Sequence, residues 1–152
     1  MARSYTFIGN YSLVASATLP VCSITNSAAT VRPRIYDIIM GSDAVADNAA
    51  KFVVQRCTTA GTPAGAFTAI ALDPGDPASL VTCGYALFSA GNTLTASAYV
   101  LQWAQNQRAT FRWVAAPTKE IVFPVTINYG VSCLSTQLVS GYNAVWSVEY
   151  EE

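Results

Sequence analysis

The chain contains no histidine, only two lysines, and few charges of either sign. Without histidine it lacks the usual general base, the Ser-His and Cys-His nucleophile pairs, and the commonest neutral metal ligand. A serine or cysteine nucleophile would then depend on a lysine or a terminal amine, and neither Lys51 nor Lys119 stands in a Ser-x-x-Lys pattern. Close cysteine pairs are missing too. Cys22, Cys57, Cys83 and Cys133 have 34, 25 and 49 residues between them, whereas a structural zinc site generally brings a Cys-x-x-Cys pair. No Gly-x-Gly-x-x-Gly and no P-loop occurs, so nothing cradles a nucleotide. No apolar run reaches the length of about 18 residues that marks a membrane-spanning helix. Neither an enzyme, nor a cofactor or metal protein, nor a membrane span is expected.

Charge is the scarcest resource. Asp, Glu, Lys and Arg make up 11% of the 152 residues, against about 25% in an ordinary soluble domain. Eight basic and nine acidic side chains leave a net charge of −1. They are spread along the chain, so there is no basic patch to displace counterions from nucleic acid. Meanwhile 52% of the residues are apolar and mean hydropathy is +0.33. A lone monomer covers itself with mixed charges, so part of this surface is expected to lie against other protein chains. The competing explanation is a soluble surface of Ser, Thr, Asn, Gln and Ala.

Met1-Ala2-Arg3, with Phe7-Ile8, Leu13-Val14 and Ala15-Ser16-Ala17, loosely resembles an export signal. Tyr5, Asn10, Tyr11 and Ser12 break its apolar stretch, and export by this route is not expected. Four cysteines allow three disulfide pairings. Without a secretory context, buried free thiols are the expectation.

The dominant periodicity is two. Ala109, Phe111 and Trp113 alternate with Arg108, Thr110 and Arg112. Ser97, Tyr99, Leu101 and Trp103 alternate with Ala98, Val100 and Gln102. Ala144, Trp146, Val148 and Tyr150 alternate with Val145, Ser147, Glu149 and Glu151. Each is a strand pattern with one face inward. Further strands are expected over 5–15, 34–40, 51–58, 66–72, 121–126 and 132–139, where Val, Ile, Thr, Tyr and Phe are frequent. Turn signals separate them at Gly41-Ser42-Asp43, Gly61-Thr62-Pro63, Gly91-Asn92, Ala116-Pro117 and Ser140–Asn143. Helical signal is limited to one or two short turns, one opened by Asp76 as N-cap with Pro77 following, the other in 44–50. Eight or nine short strands without a linker or repeat predict an all-β, single-domain β-sandwich over 21–152, jelly-roll-like, with 1–20 a first strand or an arm.

Paired acids at Asp73 and Asp76, and at Asp43 and Asp47, have the residue types of a glycosidase pair or a calcium loop. Asp before Pro, and Asp-Pro-Gly, are more economically read as turn formers. The three tryptophans fall on the apolar phase of their strands and are assigned to the core rather than to a sugar-stacking platform. One electrostatic arrangement suggests an interface. Arg108 and Arg112 share the outward phase of one strand, Glu149 and Glu151 that of the last, so these strands form a cross-strand ladder or an interchain ion pair if they meet.

Two segments carry a family resemblance: Tyr36–Ala50 continuing to Val54–Thr58, and Asn106–Pro117, with Ala71-Leu72-Asp73-Pro74 between them. From about Arg34 to Pro124 the chain resembles the head decoration (cement) proteins of tailed bacteriophages. The resemblance implies a jelly-roll sandwich, a homotrimer, and a seat on the outer capsid surface where major capsid proteins meet. It further implies a virion structural protein made in the bacterial host cytoplasm, which braces the shell against packaged DNA. The alternative function is a carbohydrate- or receptor-binding sandwich of a phage tail or fibre, which requires exposed aromatic platforms beside Asn, Gln or Asp.

Overall fold

The computed structural model describes residues 2–12, 19–43, 45, 47–137 and 143–152. Among them are twelve strands and no helix. In chain order they are β1 (Ser4–Ser12), β2 (Pro20–Asn26), β3 (Arg34–Ser42), β4 (Ala49–Cys57), β5 (Thr62–Thr68), β6 (Ile70–Ala71), β7 (Val81–Ala90), β8 (Leu94–Asn106), β9 (Phe111–Val114), β10 (Ile121–Val122), β11 (Gly130–Gln137) and β12 (Asn143–Glu151). One sheet, A, has the order β10-β3-β12-β1-β6, with β9 also paired to β3; the other, B, has the order β5-β7-β2-β11-β4-β8. Every pairing is antiparallel, as expected for a β-sandwich.

The alternation read from the sequence places the core. Tyr5 and Phe7 of β1, Ile35, Ile38 and Met40 of β3, and Ala144, Trp146, Val148 and Tyr150 of β12 all face inward from sheet A. Cys22 and Ile24, Phe52 and Val54, Val81 and Cys83, and Val131 meet them from sheet B. Trp103 stacks on Phe52 and on Phe111, with ring centroids 5.5 and 4.3 Å apart, which ties the end of sheet B to β9 of sheet A. A cavity of about 20 Å³ remains between the sheets, walled by Ile38, Met40, Val54, Trp103, Trp146 and Val148. Its apolar walls supply too few hydrogen-bond partners to hold a water.

Sheet B is buried on its other face as well. Val53 pairs with Leu134, Gln55 with Ser132 and Cys57 with Gly130 on the side facing away from the main core, yet Val53, Cys57, Leu134 and Ser132 are all under 4% exposed. β7 and β8 are far apart in the strand order but joined by only Gly91–Thr93. Here Thr58 N–H donates to Thr93 O at 2.9 Å, and Asn92 Nδ2 reaches Cys57 Sγ at 3.5 Å. The end of β7, with the buried Phe88, therefore crosses over sheet B. A sheet covered on both faces reads as near-continuous apolar sequence without alternation. Accordingly the burial of β2 shows no alternation, and β2 was not among the expected strands; nor was β7, although its exposed Thr82 stands between the buried Val81 and Cys83.

The helical turn expected at Asp76 does not form. Asp76 is no N-cap: its N–H donates to Asp73 O at 3.0 Å, and Asp73 Oδ1 accepts Gly75 N–H at 2.8 Å, closing an Asx-turn. In 44–50, Ala49 and Ala50 belong to β4, with Ala50 fully buried, so burial outweighs alanine's helix propensity; Ala44 and Ala46 lie outside the described residues. Of the strand and the arm considered for 1–20, Ser4–Ser12 is a strand held between β12 and β6. Residues 13–18 lie outside the described residues.

The Asp73–Leu80 loop is fastened to the end of the sandwich by polar contacts. Tyr5 OH donates to Pro77 O at 3.1 Å, Ser79 Oγ meets Tyr150 OH at 2.7 Å, and the Glu152 carboxylate accepts from Ser79 Oγ and Leu80 N–H. Beneath it, burial and then the charge of Glu152 push the Cys83 thiol up to about 12, and burial raises the Tyr150 hydroxyl above its ordinary 10.0. All four cysteines are free, and Cys22 lies directly across from Cys133 on β11. The sign of the pH effect follows. Folded Cys83 and Tyr150 keep protons that the unfolded chain loses above about pH 9 to 10, so their contribution to stability is complete below that range and declines as pH rises toward 12. The expected slope is about 1.4 kcal/mol per pH unit for each group once its unfolded form ionises. Urea midpoints should hold constant from pH 7 to about 9 and then fall, with Cys83→Ala flattening the fall; a constant midpoint to pH 11 would contradict this coupling.

Candidate interaction surface

Among the described residues no group of three or more His, Cys, Asp or Glu side chains could hold a metal ion, and no helix is long and apolar enough to cross a membrane. What stands out is the outward face of sheet A. It is built by the phase opposite to the core: Thr6 and Ile8 of β1, Asp37 and Ile39 of β3, Val145, Ser147 and Glu149 of β12, Ile70 of β6, and Arg112 and Val114 of β9. The registers align them in rows. One runs Val114, Asp37, Glu149, Thr6, Ile70, and the next runs Arg112, Ile39, Ser147, Ile8. With neighbouring strands about 4.8 Å apart, these five strands span about 19 Å. Four large aliphatic side chains point from this face into solvent, Ile8 at 57%, Ile70 at 66%, Val114 at 57% and Val145 at 40% exposure.

Between the aliphatic residues lies an ordered polar seam. Arg112 grips Asp37 in a two-pronged ion pair, Nε at 3.1 Å and the terminal nitrogen at 2.5 Å from Oδ2. Asp37 is only 4% exposed although it is on the outer face, because Arg112 covers it from the solvent side. The bulge between Glu149 and Tyr150 explains its neighbour: the register passes from Glu149 opposite Asp37 to Tyr150 opposite Ile35, leaving Tyr36 as the extra residue. Tyr36 hydrogen-bonds Ser4 and Glu149, and burial followed by the Glu149 charge raises its hydroxyl above the ordinary value. Holding these charges in fixed positions limits the entropy lost when another surface docks on them.

Of the four residues expected at an interface, Arg112, Glu149 and Glu151 are on sheet A. Arg112 and Glu149 share this face, close enough for Glu149 to act electrostatically on Arg112. Their strands do not pair, however, because β3 lies between β9 and β12, and Arg112 takes Asp37 on β3 as its partner instead. Glu151 stands opposite Arg34 at the end of β12. Arg108 is in the turn after β8, where it meets Asp47 at 3.5 Å, an exposed contact of about 0–1 kcal/mol. Asp43, the other acid of that pair, binds Asn143 through N–H and Nδ2, which lowers its carboxyl below the usual range. Sequence reasoning missed Tyr36 and Asp37. The signal was present, since Asp37 is a lone charge within Ile35–Met40.

The tryptophans are committed elsewhere. Trp103 and Trp146 are buried, and Trp113 packs against the core. No family model, no curated protein and no solved structure matches this chain.

Proposed function

We propose that this chain is a structural virion protein of a tailed bacteriophage, a decoration protein that binds the outer surface of the assembled head and stabilises the shell. The observation that carries the reading is the outward face of sheet A. A protein with 11% charged residues presents four exposed aliphatic side chains around a pre-set ion pair, a surface suited to another protein. The resemblance of Arg34–Pro124 to decoration proteins supplies the partner, the major capsid protein. The mechanism is mass action: a ligand that binds the assembled shell and not its dispersed subunits stabilises the shell by its binding free energy. Repeated over many copies, a contact of about 800 Å² per partner suffices. The tail or fibre reading is the weaker one: all three tryptophans are used in packing, which leaves it Tyr99 and Tyr129 as exposed aromatic residues among the described ones.

The test is co-sedimentation with expanded, undecorated heads of the phage whose genome carries this sequence. Saturable binding to heads is expected, with Ile8→Lys weakening it at least tenfold while far-UV circular dichroism is unchanged. Absence of co-sedimentation at saturating protein, or saturable glycan binding in its place, would overturn the reading.

A further inference from the structure

A second surface, separate from the outer face of sheet A, is the free edge of β8. This strand closes sheet B and pairs on one side with β4; among the described residues nothing pairs with its other side. Its thirteen residues include no Lys, Arg, Asp, Glu or Pro. Edge strands are ordinarily blunted by charges, proline or bulges, because a bare row of N–H and C=O groups recruits another strand. The first half of β8 has such protection: its register against β4 shifts on both sides of Gln55, and Ser97 has φ 58°. The second half has none. Leu101–Asn106 runs in unbroken register with Ala49–Val54.

The phase of this half is fixed by one bond. Gln107 N–H donates to Asn48 O at 2.8 Å, continuing the register in which Asn106 faces Ala49. Hydrogen-bonded pairs alternate along an antiparallel ladder. Leu101, Trp103 and Gln105 therefore direct their backbone groups to β4, while the N–H and C=O of Gln102 and Ala104 and the N–H of Asn106 are directed to the open edge; Asn106 C=O accepts Ala109 N–H at 2.8 Å. The side chains of these last three are also exposed, so no side chain of theirs is committed to the core.

We propose that two copies of this chain pair antiparallel along Leu101–Asn106, about a two-fold axis at Ala104. Gln102 then lies against Asn106 of the second copy and Ala104 against its own equivalent, with about four backbone hydrogen bonds across the junction. A two-fold contact places each residue near its own equivalents, so a charge near the axis meets a like charge. This segment has none, which makes it compatible with itself. The nearest charge is Lys51, which stands opposite Ala104 on β4, one strand inward from the axis, while Arg108 lies beyond the segment and is engaged with Asp47. Nor does the segment carry a charge pattern with which to select a foreign strand. Strand addition at an open sheet edge takes its affinity from the main chain. The inference stands apart from the capsid reading, since it concerns self-association in the absence of any shell.

The test is native mass spectrometry and light scattering over a dilution series of the wild type, Ala104→Lys and Ala104→Ser. The wild type should show an even number of copies, with mass falling on dilution. Ala104→Lys, which sets two ammonium groups face to face, should halve that mass at equal concentration with an unchanged circular dichroism spectrum, and Ala104→Ser should leave it intact. A wild type that is monomeric throughout, or an oligomer whose mass Ala104→Lys does not alter, overturns the proposal. Amide hydrogen exchange of the wild type provides a measurement that needs no variant. Ala104 and Asn106 should be protected at high concentration and exchange at least tenfold faster on dilution, and fast exchange at every concentration also overturns it.

Discussion

Replacing Gly130 with alanine should destabilise the protein by about 4 kcal/mol or more, in the range reserved for severe steric damage. Gly130 opens β11, the strand at the middle of sheet B, and is paired with Thr25 on one side and Cys57 on the other. A β-carbon there would come 1.9 Å from Ile24 O and 2.8 Å from both Ile24 C and Thr25 Cα. All three are backbone atoms of β2, so no side chain can rotate away to relieve the contact. The relief left is to spread β2 from β11, which breaks the ladder at the point where Asn26 N–H bonds Tyr129 O. For a chain of this size each kcal/mol corresponds to about 2–4 °C, so the melting temperature should drop by roughly 10 °C or more. A Gly130→Ala protein that melts within 3 °C of the wild type would contradict the packing of β11 against β2.

The second large effect is a coupling. Gly9 and Trp146 are direct partners across β1 and β12, and the indole lies over the glycine. A β-carbon at position 9 would come 2.4 Å from Trp146 Nε1 and 2.5 Å from Cε2. The ring has nowhere to go. It is 2% exposed, and the cavity beside it is about 20 Å³, room for one water-sized object and not for a displaced indole. Gly9→Ala should therefore cost about 2–3 kcal/mol, the upper range for one overpacked methyl. Trp146→Phe should cost about 1–3 kcal/mol as a large-to-small change. Part of that loss is offset, since Trp146 Nε1 is buried without a hydrogen-bond partner among the described residues. Combined, the phenylalanine vacates the space that alanine enters, and the double variant should be at least about 1 kcal/mol more stable than the sum predicts. Additive urea-unfolding free energies would place the indole away from Gly9.

The legibility of this fold tracks how many faces of each strand are buried. In β12, Ala144, Trp146, Val148 and Tyr150 are all buried while Val145 and Ser147 point outward, and the alternation was plain. The same holds for Phe111 and Trp113 against Arg112. In β8 the alternation read over Ser97–Trp103 breaks at the bulges, so Tyr99 is 60% exposed while Leu101 and Trp103 turn inward. In β2 every residue is buried, no period exists to detect, and a strand central to sheet B went unread. The candidate surface was legible only in part. Arg112 and Glu149 were placed on an outward phase correctly, but their strands are separated by β3, and that separation is a fact of strand order.

The sequence by itself determined the class of this protein. Period-two patterning, turn-forming residues between short segments, and the scarcity of charge dictate an all-β sandwich, because alternation is a local consequence of the extended backbone. Strand order, bulges and the second covering of sheet B were decided by tertiary structure alone. They depend on which strands find each other across long stretches of chain, and on how the chain leaving β7 reaches Cys57 and Thr58 at the end of β4. The same non-local choices placed Asp37 beneath Arg112 and left one uncharged edge of β8 open, for no single segment encodes which strand ends up last in a sheet.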